Sequence, residues 1–128
     1  MNIRMTHQTK IVQQAAIKFG HSTNAQLLVE SKKQLPDISA TTVHRITSRL
    51  ITRGLLAEGP ELNGSRIIDA NITPHDHFVC EACFGIKDIE LPKGLRTSLQ
   101  KQVSGFLHES RLTIKGDCHN CVHASKVQ

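Results

Sequence analysis

Apolar residues recur at helical spacing in three successive stretches of the first half of the chain. The first stretch spans residues 4–19, where Thr6 or Thr9 is suited to cap the start and Gly20 to end the helix. Its apolar positions are Ile11, Val12, Ala15, Ala16 and Phe19. These positions predict an amphipathic helix with one side in a core.

The second stretch follows Ser22 and Thr23, either of which is a suitable N-cap. Its predicted buried side consists of Ala25, Leu27, Leu28 and Val29. Pro36 disfavours helical conformation at the residue before it, so residues 35–38 are predicted to form a turn. This turn separates the second helix from a third.

The third stretch predicts a helix over residues 40–53, capped by Ser39 and closed by Gly54. The inward face is predicted to consist of Val43, Ile46 and Leu50. The outward face is predicted to consist of Thr41, Thr42, His44, Arg45, Ser48 and Arg49. A helix with small polar and Arg side chains near its start, preceded by another helix, suits the major groove of DNA.

A hairpin is predicted after the third helix. Residues 55–58 and 65–69 are the predicted strands, and Asn63 with Gly64 between them is a strong turn signal. Three helices followed by a hairpin is the order of a winged helix-turn-helix domain, which we assign to residues 1–71. Arg66 on the returning strand is included among the predicted DNA contacts. The alternative is a generic small helical domain with a surface hairpin.

The second half of the chain, residues 72–128, is predicted to be a small α+β domain, so the fold class is α+β. Residues 70–74 lack periodicity and are the candidate hinge. Strands are predicted at 78–80, 86–91, 106–108 and 111–115, with a helix over 93–104 that carries Leu95, Leu99 and Val103 and ends at Gly105. Residues 122–128 are predicted to fray.

Charge is unevenly distributed along the chain of 128 residues, whose net charge is +5. Residues 1–71 carry nine Lys and Arg against five Asp and Glu, and residues 72–128 carry seven against six. A basic first half fits a polyanion such as double-stranded DNA, although a solvated basic surface has the same charge. The absence of Trp and Tyr argues against base stacking on aromatic side chains.

Neither a membrane span nor a secretion signal is evident in the sequence. No apolar run approaches the roughly 18 residues that span a bilayer. The first residues also lack the apolar core of a signal peptide. We therefore expect a cytoplasmic protein without a membrane partner.

The four cysteines form two Cys-x-x-Cys pairs, Cys80 with Cys83 and Cys118 with Cys121. A two-residue spacing lets one tight turn present two thiolates to one ion, and Zn²⁺ takes four such ligands in tetrahedral geometry. In a cytoplasmic protein four cysteines indicate metal before disulfides. We predict a structural zinc site that ties the start of the second domain to its end. The alternatives are two disulfides and a thioredoxin-like redox pair, which lacks its flanking βαβ pattern here.

Residues 75–77 add two imidazoles and a carboxylate to the first Cys pair. With other motifs, they resemble the ferric uptake regulator family of metal-responsive repressors over nearly the whole chain. The matching features are Arg4, Thr6, His21, Ile38-Ser39-x-x-Thr42-Val43-His44-Arg45, Gly54-Leu55-Leu56, Gly64, His75-Asp76-His77-Phe78-Val79-Cys80-x-x-Cys83 and Cys118-x-x-Cys121. The resemblance implies a winged-helix domain, an α+β dimerisation domain, and a homodimer that binds operator DNA when metal is loaded.

Three positions depart from the family pattern. His44 stands where the family usually has Tyr, and Lys10 where it usually has Arg. Phe84 precedes Gly85, whereas the family usually has Gly directly after the second Cys of the pair. Because His44 lies on the predicted recognition helix, the family's operator sequence does not carry over.

The resemblance also implies a regulatory metal site with ligands from both domains. Mapped position by position, the ligands are His21, Asp69, His75, His77 and Asp88. Three imidazoles and two carboxylates without a thiolate favour Fe²⁺ or Mn²⁺ over a tetrahedral zinc site. The two Asp resemble the peroxide-sensing branch, where bound Fe²⁺ reacts with hydrogen peroxide and oxidises a ligating His, here His21 or His75. The alternative is an iron-, manganese- or zinc-uptake regulator without peroxide sensing.

Each predicted ligand has an ordinary interpretation when taken alone. His21 is interpretable as a helix-cap or surface residue, Asp69 as a strand end, and Asp88 as an exposed strand residue. The alternative of a different class is a zinc-stabilised interaction module without DNA function. No residue set offers a nucleophile or base beside an open metal position, so we do not expect an enzyme.

A second metal site that some relatives have is predicted to be lost. Pro74 and Ser110 stand at or near positions where those relatives have His. Asp76 and His108 are then remnants without a metal role.

Overall fold

The computed structural model describes residues 5–107 and 112–126, with side chains described as far as residue 122. The chain divides into two units, Met1–Ile72 and Thr73–Gln128. Arg4, His108 and Ser110, which entered the sequence analysis, lie outside the described residues. Within the described ranges, no helix is both long and apolar enough to cross a membrane.

The first unit begins with three helices that start at side-chain caps. They are α1 (His7–Phe19), α2 (Asn24–Lys32) and α3 (Ala40–Thr52). Thr6, Thr23 and Ser39 each accept the backbone N–H of the residue three positions on, which satisfies a donor that the first turn leaves unpaired. Thr23 and Gln26 also form a reciprocal capping box. The predicted helix starts are thus confirmed, with Thr6 and Thr23 as the caps.

The core of the first unit is formed by all three helices and the strands that follow. It consists of Val12, Ala15, Ala16, Leu27, Ile38, Val43, Ile46, Leu50, Leu56 and Ile68. The inward face predicted for the third helix is confirmed, because its three apolar residues are all buried.

The buried side predicted for the second helix is partly wrong. Ala25 and Val29 are exposed, whereas Leu27 and Ser31 are fully buried. Leu27 and Ser31 are four residues apart and share one face, from which Ala25 and Val29 point away. Phe19, at the last position of α1, is also exposed.

A three-stranded antiparallel sheet completes the first unit. Its strands are β1 (His21–Ser22), β2 (Ala57–Leu62) and β3 (Ser65–Asp69), in the order β1-β3-β2. Asn63 and Gly64 have φ of 51° and 80°, the left-handed conformation that a two-residue hairpin turn requires, so the predicted turn is confirmed.

The strand predicted at 55–58 starts later, because the N–H groups of Leu55 and Leu56 still bond to the carbonyl of Leu50. β1 was not predicted, since two residues are too short to show alternation. Three helices and this hairpin form a winged helix-turn-helix.

The second unit is built on β4 (Asp76–Cys80), the central strand of a second three-stranded sheet. β5 (Ile86–Ile89) pairs with it antiparallel and β6 (Thr113–Gly116) pairs parallel, giving the order β5-β4-β6. Along the chain, α4 (Lys93–Val103) connects β5 to β6, and α5 (His119–Lys126) follows β6. The predicted α+β class is confirmed.

Three predictions for the second unit are wrong. Phe106 and Leu107 do not form a strand. Ser104, in the left-handed conformation with φ 51°, ends α4 in place of Gly105. Residues 122–126, part of the segment predicted to fray, belong to α5, and residues 127–128 lie outside the described range.

Candidate metal centres and nucleic-acid interface

Four sulfur atoms lie together at one end of the second sheet. Cys80 ends β4, Cys83 lies in the following turn, and Cys118 and Cys121 lie at the start of α5. The Sγ–Sγ distance is 3.6 Å between Cys80 and Cys121 and 3.8 Å between Cys83 and Cys118. Four thiolates about 2.3 Å from a tetrahedral ion are about 3.8 Å apart. All four are free thiols, and their spacing fits a single ion.

Backbone N–H groups stabilise a thiolate in this cluster. The N–H groups of Cys118 and Cys83 point at Cys80 Sγ from 3.3 and 3.4 Å. They lower the pKa of the Cys80 thiol to about 6. The neighbouring sulfurs of Cys118 and Cys80 raise the pKa of Cys121 far above its ordinary value. Bringing these thiolates together requires a positive ion, for which Zn²⁺ has the matching ligand preference.

Phe84 closes the first Cys turn in an unusual conformation. Its N–H donates to the carbonyl of Cys80 at 2.9 Å, and its φ of 62° lies in the left-handed region. A bulky residue seldom adopts this conformation, because its Cβ approaches the next carbonyl oxygen. The Gly usual at this position in the family would adopt it without strain.

His75, His77 and Asp88 form a second cluster in this unit. His77 pairs in register with Asp88 across β4 and β5, so both side chains lie on one face of the sheet. The Nε2 atoms of His75 and His77 are 3.1 and 3.5 Å from the same Asp88 Oδ1. The two ring centroids are 4.3 Å apart. Two imidazoles and one carboxylate therefore present donor atoms to one point.

The tautomer of His75 is also constrained. Its Nδ1 is 2.6 Å from the carbonyl oxygen of Thr73, so Nδ1–H donates there and Nε2 is the nitrogen that faces Asp88. Metal-ligating histidines commonly have this arrangement, which orients the ring and raises its basicity. The predicted role of His75 as a ligand therefore has support in its local geometry.

His21 and Asp69 face each other in the first unit. They are partners in the β1–β3 register, and His21 Nε2 is 3.3 Å from Asp69 Oδ2. The other carboxylate oxygen, Oδ1, accepts the N–H of Asn71 at 2.9 Å. Asp69 is only 2% exposed. The short strand β1 therefore brings together two predicted ligands that are far apart in sequence.

Asp76 has a partner that the sequence did not indicate. It is 2% exposed, and Arg96 Nη2 donates to its two oxygens at 2.9 and 3.0 Å. The N–H of Leu112 donates to Oδ1 at 2.9 Å. Burial alone raises the pKa of Asp76, but the Leu112 N–H and the guanidinium outweigh it and hold the pKa below its usual range. Asp76 is therefore a charged carboxylate that bonds α4 and residue 112 to β4.

The outward face of α3 is accessible as predicted. Thr41, His44, Arg45 and Arg49 are exposed, and no acidic residue lies in the first turn. Thr42 is half-buried, and its hydroxyl accepts a hydrogen bond from Ser39 Oγ at 2.9 Å. Cationic and small polar groups on one helix face have the chemistry that contacts phosphates and base edges.

Two hydrogen bonds connect α3 to its surroundings in the first unit. Arg66 of β3 donates from Nη2 to Ser48 Oγ at 3.2 Å, which joins the hairpin to the recognition helix. Thr47 Oγ1 donates to Asn24 Oδ1 at 2.7 Å, which joins α3 to the start of α2. Arg66, predicted as a DNA contact, thus lies beside the predicted DNA-reading helix.

Comparison with known proteins gives a family match. The sequence model of the ferric uptake regulator family matches residues 1–114. No match was found among curated proteins.

Several solved structures have the same fold. The ferric uptake regulator from Francisella tularensis with iron is 17% identical, with a TM-score of 0.78, and the alignment covers 95% of this chain and 96% of that one. The Campylobacter jejuni peroxide stress regulator is 27% identical, with a TM-score of 0.68 and coverage of 89% and 88%. A zinc uptake regulator complexed with zinc and DNA is 20% identical, with a TM-score of 0.66 and coverage of 98% and 87%.

Proposed function

This chain belongs to the ferric uptake regulator family, whose members are transcription regulators and not enzymes, and we propose that it is a homodimeric DNA-binding repressor switched by Fe²⁺ or Mn²⁺. One observation carries the proposal. Each unit contains part of a His/Asp ligand set: His21 opposite Asp69 in the first, and two histidines around Asp88 in the second.

The regulatory ion binds both partial sets in this proposal. Three imidazoles and two carboxylates form a five-ligand site with nitrogen and oxygen donors, which suits Fe²⁺ and Mn²⁺ better than a tetrahedral thiolate site would. Binding to both units fixes their relative orientation. In a dimer, this sets the spacing of two recognition helices to match two half-sites on DNA.

The thiolate cluster has a different role in the proposal. Zn²⁺ bound by Cys80, Cys83, Cys118 and Cys121 stays in place and stabilises the second unit. The sulfur spacing and the lowered pKa of Cys80 support this assignment.

Operator DNA is contacted by the outward face of α3, together with Arg66. The exposed Arg45 and Arg49 supply cations, and His44 contributes a donor or an acceptor according to its tautomer. The zinc uptake regulator with the same fold was solved in complex with DNA, which supports this mode of action.

Dimerisation uses the second unit in this proposal. In the single chain α4 buries none of its residues, and Leu95 and Val103 are exposed. A groove of about 650 Å³ is lined in part by Phe78, Ile89 and Ile114. Exposed apolar surface of this kind is typical of a protein–protein interface.

We also propose that the regulator senses hydrogen peroxide. Both acidic ligands are Asp, which resembles the peroxide-sensing branch, and the Campylobacter jejuni peroxide stress regulator is 27% identical. His21 or His75 would be the side chain oxidised by peroxide when Fe²⁺ is bound, and the loss of that ligand would release the operator. With Mn²⁺ bound, DNA binding resists peroxide.

The test is operator binding with Mn²⁺, Fe²⁺ or Zn²⁺, with and without peroxide, after selecting an operator from random duplexes. We expect chelation to abolish specific binding, and peroxide to abolish it in the Fe²⁺ form only. Binding that chelation leaves unchanged would contradict metal regulation. If operator binding by the Fe²⁺ form is unchanged by peroxide, the protein would be an iron or manganese regulator without peroxide sensing.

A double variant separates this proposal from a zinc-stabilised interaction module. Arg45→Ala with Arg49→Ala should weaken operator binding and reduce its salt slope by about two. Lys93→Ala with Lys115→Ala removes the same charge from exposed positions of the second unit and should change neither. If the two double variants have the same operator affinity and the same salt slope, the zinc-stabilised interaction module would be favoured.

A further inference from the structure

We propose that Arg96 is a positioning residue for the regulatory metal: by holding Asp76, it keeps His75 and His77 directed at Asp88. This inference rests on the proposed function. Arg96 touches none of the proposed ligands' donor atoms in the contacts described above, so its effect passes through the backbone of β4.

The first argument is the alternation of side chains along β4. Asp76 begins β4, His77 follows it, and His75 directly precedes the strand; successive side chains of an extended segment point to opposite faces. A contact that fixes Asp76 on one face therefore fixes the rotation of the strand about its axis. That rotation determines where the two imidazoles point on the other face.

The second argument is that Asp76 is held from two separate elements. Arg96 of α4 bonds both carboxylate oxygens through Nη2, and the Leu112 N–H just before β6 bonds Oδ1. Charge-assisted contacts of this kind are stronger than neutral hydrogen bonds. The backbone N–H of Leu91 also hydrogen-bonds this carboxylate. Arg96 is the one cation among these partners, so removing the guanidinium leaves the carboxylate with neutral donors alone.

The third argument concerns the burial of the carboxylate. Asp76 is 2% exposed, and a buried charge that loses its cation is strongly disfavoured. Without Arg96, the buried carboxylate has no cation, and moving it toward water requires the strand segment to shift. That shift disturbs residues 75–77, where two of the five proposed ligands lie.

A purely structural role for the ion pair makes a different prediction. α4 buries none of its residues, so Arg96 could serve only to attach this helix to the sheet. Loss of Arg96 would then weaken the whole unit, including the zinc cluster and the dimer. Loss of a positioning residue weakens regulatory metal binding while zinc content stays the same.

The experiment compares Arg96→Gln with Lys93→Gln, which removes the same charge from an exposed position on the same helix. Mn²⁺ affinity of the zinc-loaded, full-length protein is measured by competition with a metallochromic chelator. Zinc content and oligomeric state are measured alongside. We expect Arg96→Gln to weaken Mn²⁺ binding by about 10-fold to 100-fold, the range for outer-shell partners of metal ligands. Zinc content should stay at one per chain, and Lys93→Gln should match wild type.

Two further variants test whether Arg96 affects Mn²⁺ affinity through its contact with Asp76. Arg96→Lys keeps the charge and should recover part of the affinity. Arg96→Gln combined with Asp76→Asn replaces the charged pair by two amides. The double variant should bind Mn²⁺ no more weakly than Arg96→Gln, because the buried charge is gone. If Arg96→Gln does not fold, Arg96→Lys is judged by the same criterion, an Mn²⁺ affinity below wild type with zinc retained.

Mn²⁺ affinity within twofold of wild type in the Arg96 variants would overturn this proposal alone. If the Arg96 variants lose zinc or the dimer together with Mn²⁺ binding, the proposal would also be overturned, in favour of the structural role. The proposed function would be contradicted instead if the wild-type protein binds no Mn²⁺, or if its affinity for DNA is the same with and without Mn²⁺. The two proposals therefore fail by separate observations.

Discussion

The thiolate cluster and the His/Asp ligands differ in how the chain assembles them. All four cysteines belong to one unit, where the turn after β4 and the start of α5 bring their sulfur atoms to the spacing of a tetrahedral ion. The proposed regulatory ligands are divided between the units, with two in the first and three in the second. A site complete within one unit is suited to stabilising that unit. Under the proposed function, the divided ligand set is what lets metal binding change the relative orientation of the units.

The largest effect expected from this comparison is the loss of the thiolate cluster. Cys83→Ser removes one of four zinc ligands, and structural zinc supplies on the order of 10 kcal/mol of folding free energy in small domains. We expect the second unit to lose zinc and its cooperative unfolding transition. Calorimetry with zinc analysis checks this. Glu81→Ser, at an exposed position in the same turn, is the control. A zinc-free Cys83→Ser protein with wild-type unfolding would contradict a structural role.

The next effect is on the regulatory ion. Asp88 is the residue that both histidines of the second unit face, so Asp88→Ala should weaken Mn²⁺ binding at least about 10-fold. Its side chain is 44% exposed, and the free energy of unfolding of the zinc form should change by less than about 1 kcal/mol. Titration and thermal unfolding measure the two quantities. Equal losses of Mn²⁺ and zinc would show that the two sites are not independent.

A His21 variant separates the binding of Mn²⁺ from the effect of Mn²⁺ on operator binding. His21→Ala leaves three proposed ligands in the second unit, so Mn²⁺ should still bind, but more weakly than in wild type. Operator binding should no longer respond to Mn²⁺, because the ion then has a weaker hold on the first unit. Parallel Mn²⁺ and operator titrations on the same protein test this. A His21→Ala variant that keeps a wild-type response to Mn²⁺ would remove His21 from the proposed site.

The smallest expected effect lies in the turn between Cys83 and Gly85. Phe84→Gly relieves a left-handed conformation that costs a side chain roughly 1–2 kcal/mol, less the entropy of a freer unfolded chain. We expect the zinc form to gain about 0.5–1 kcal/mol in free energy of unfolding. Denaturant unfolding measures it, with Mn²⁺ affinity expected to stay unchanged. A destabilised variant would mean that contacts of the Phe84 ring outweigh the backbone strain.

Signals that operate over a few residues were sufficient to predict much of this structure. The helix caps, the Asn63-Gly64 turn and the Cys-x-x-Cys spacing each depend on atoms within about four positions of one another. The inward face of α3 was predictable because its apolar period is regular.

Features that depend on tertiary pairing were not predictable from the pattern. Asp76 and Arg96 are 20 residues apart and lie on different elements. β1 is two residues long, and its existence depends on its pairing with β3. The grouping of His75 and His77 around Asp88 followed from the family resemblance, because separately each residue is ordinary.

The short strand β1 also has a mechanical consequence. His21 is two residues before Thr23, the cap of α2, and Asn24 at the start of α2 accepts the hydrogen bond from Thr47 of α3. The His21 backbone is therefore connected to α3, the proposed DNA-contacting helix, by three peptide bonds and one hydrogen bond of 2.7 Å. A metal ion that pulls on His21 would act first on the cap of α2, and on α3 through Asn24 and Thr47.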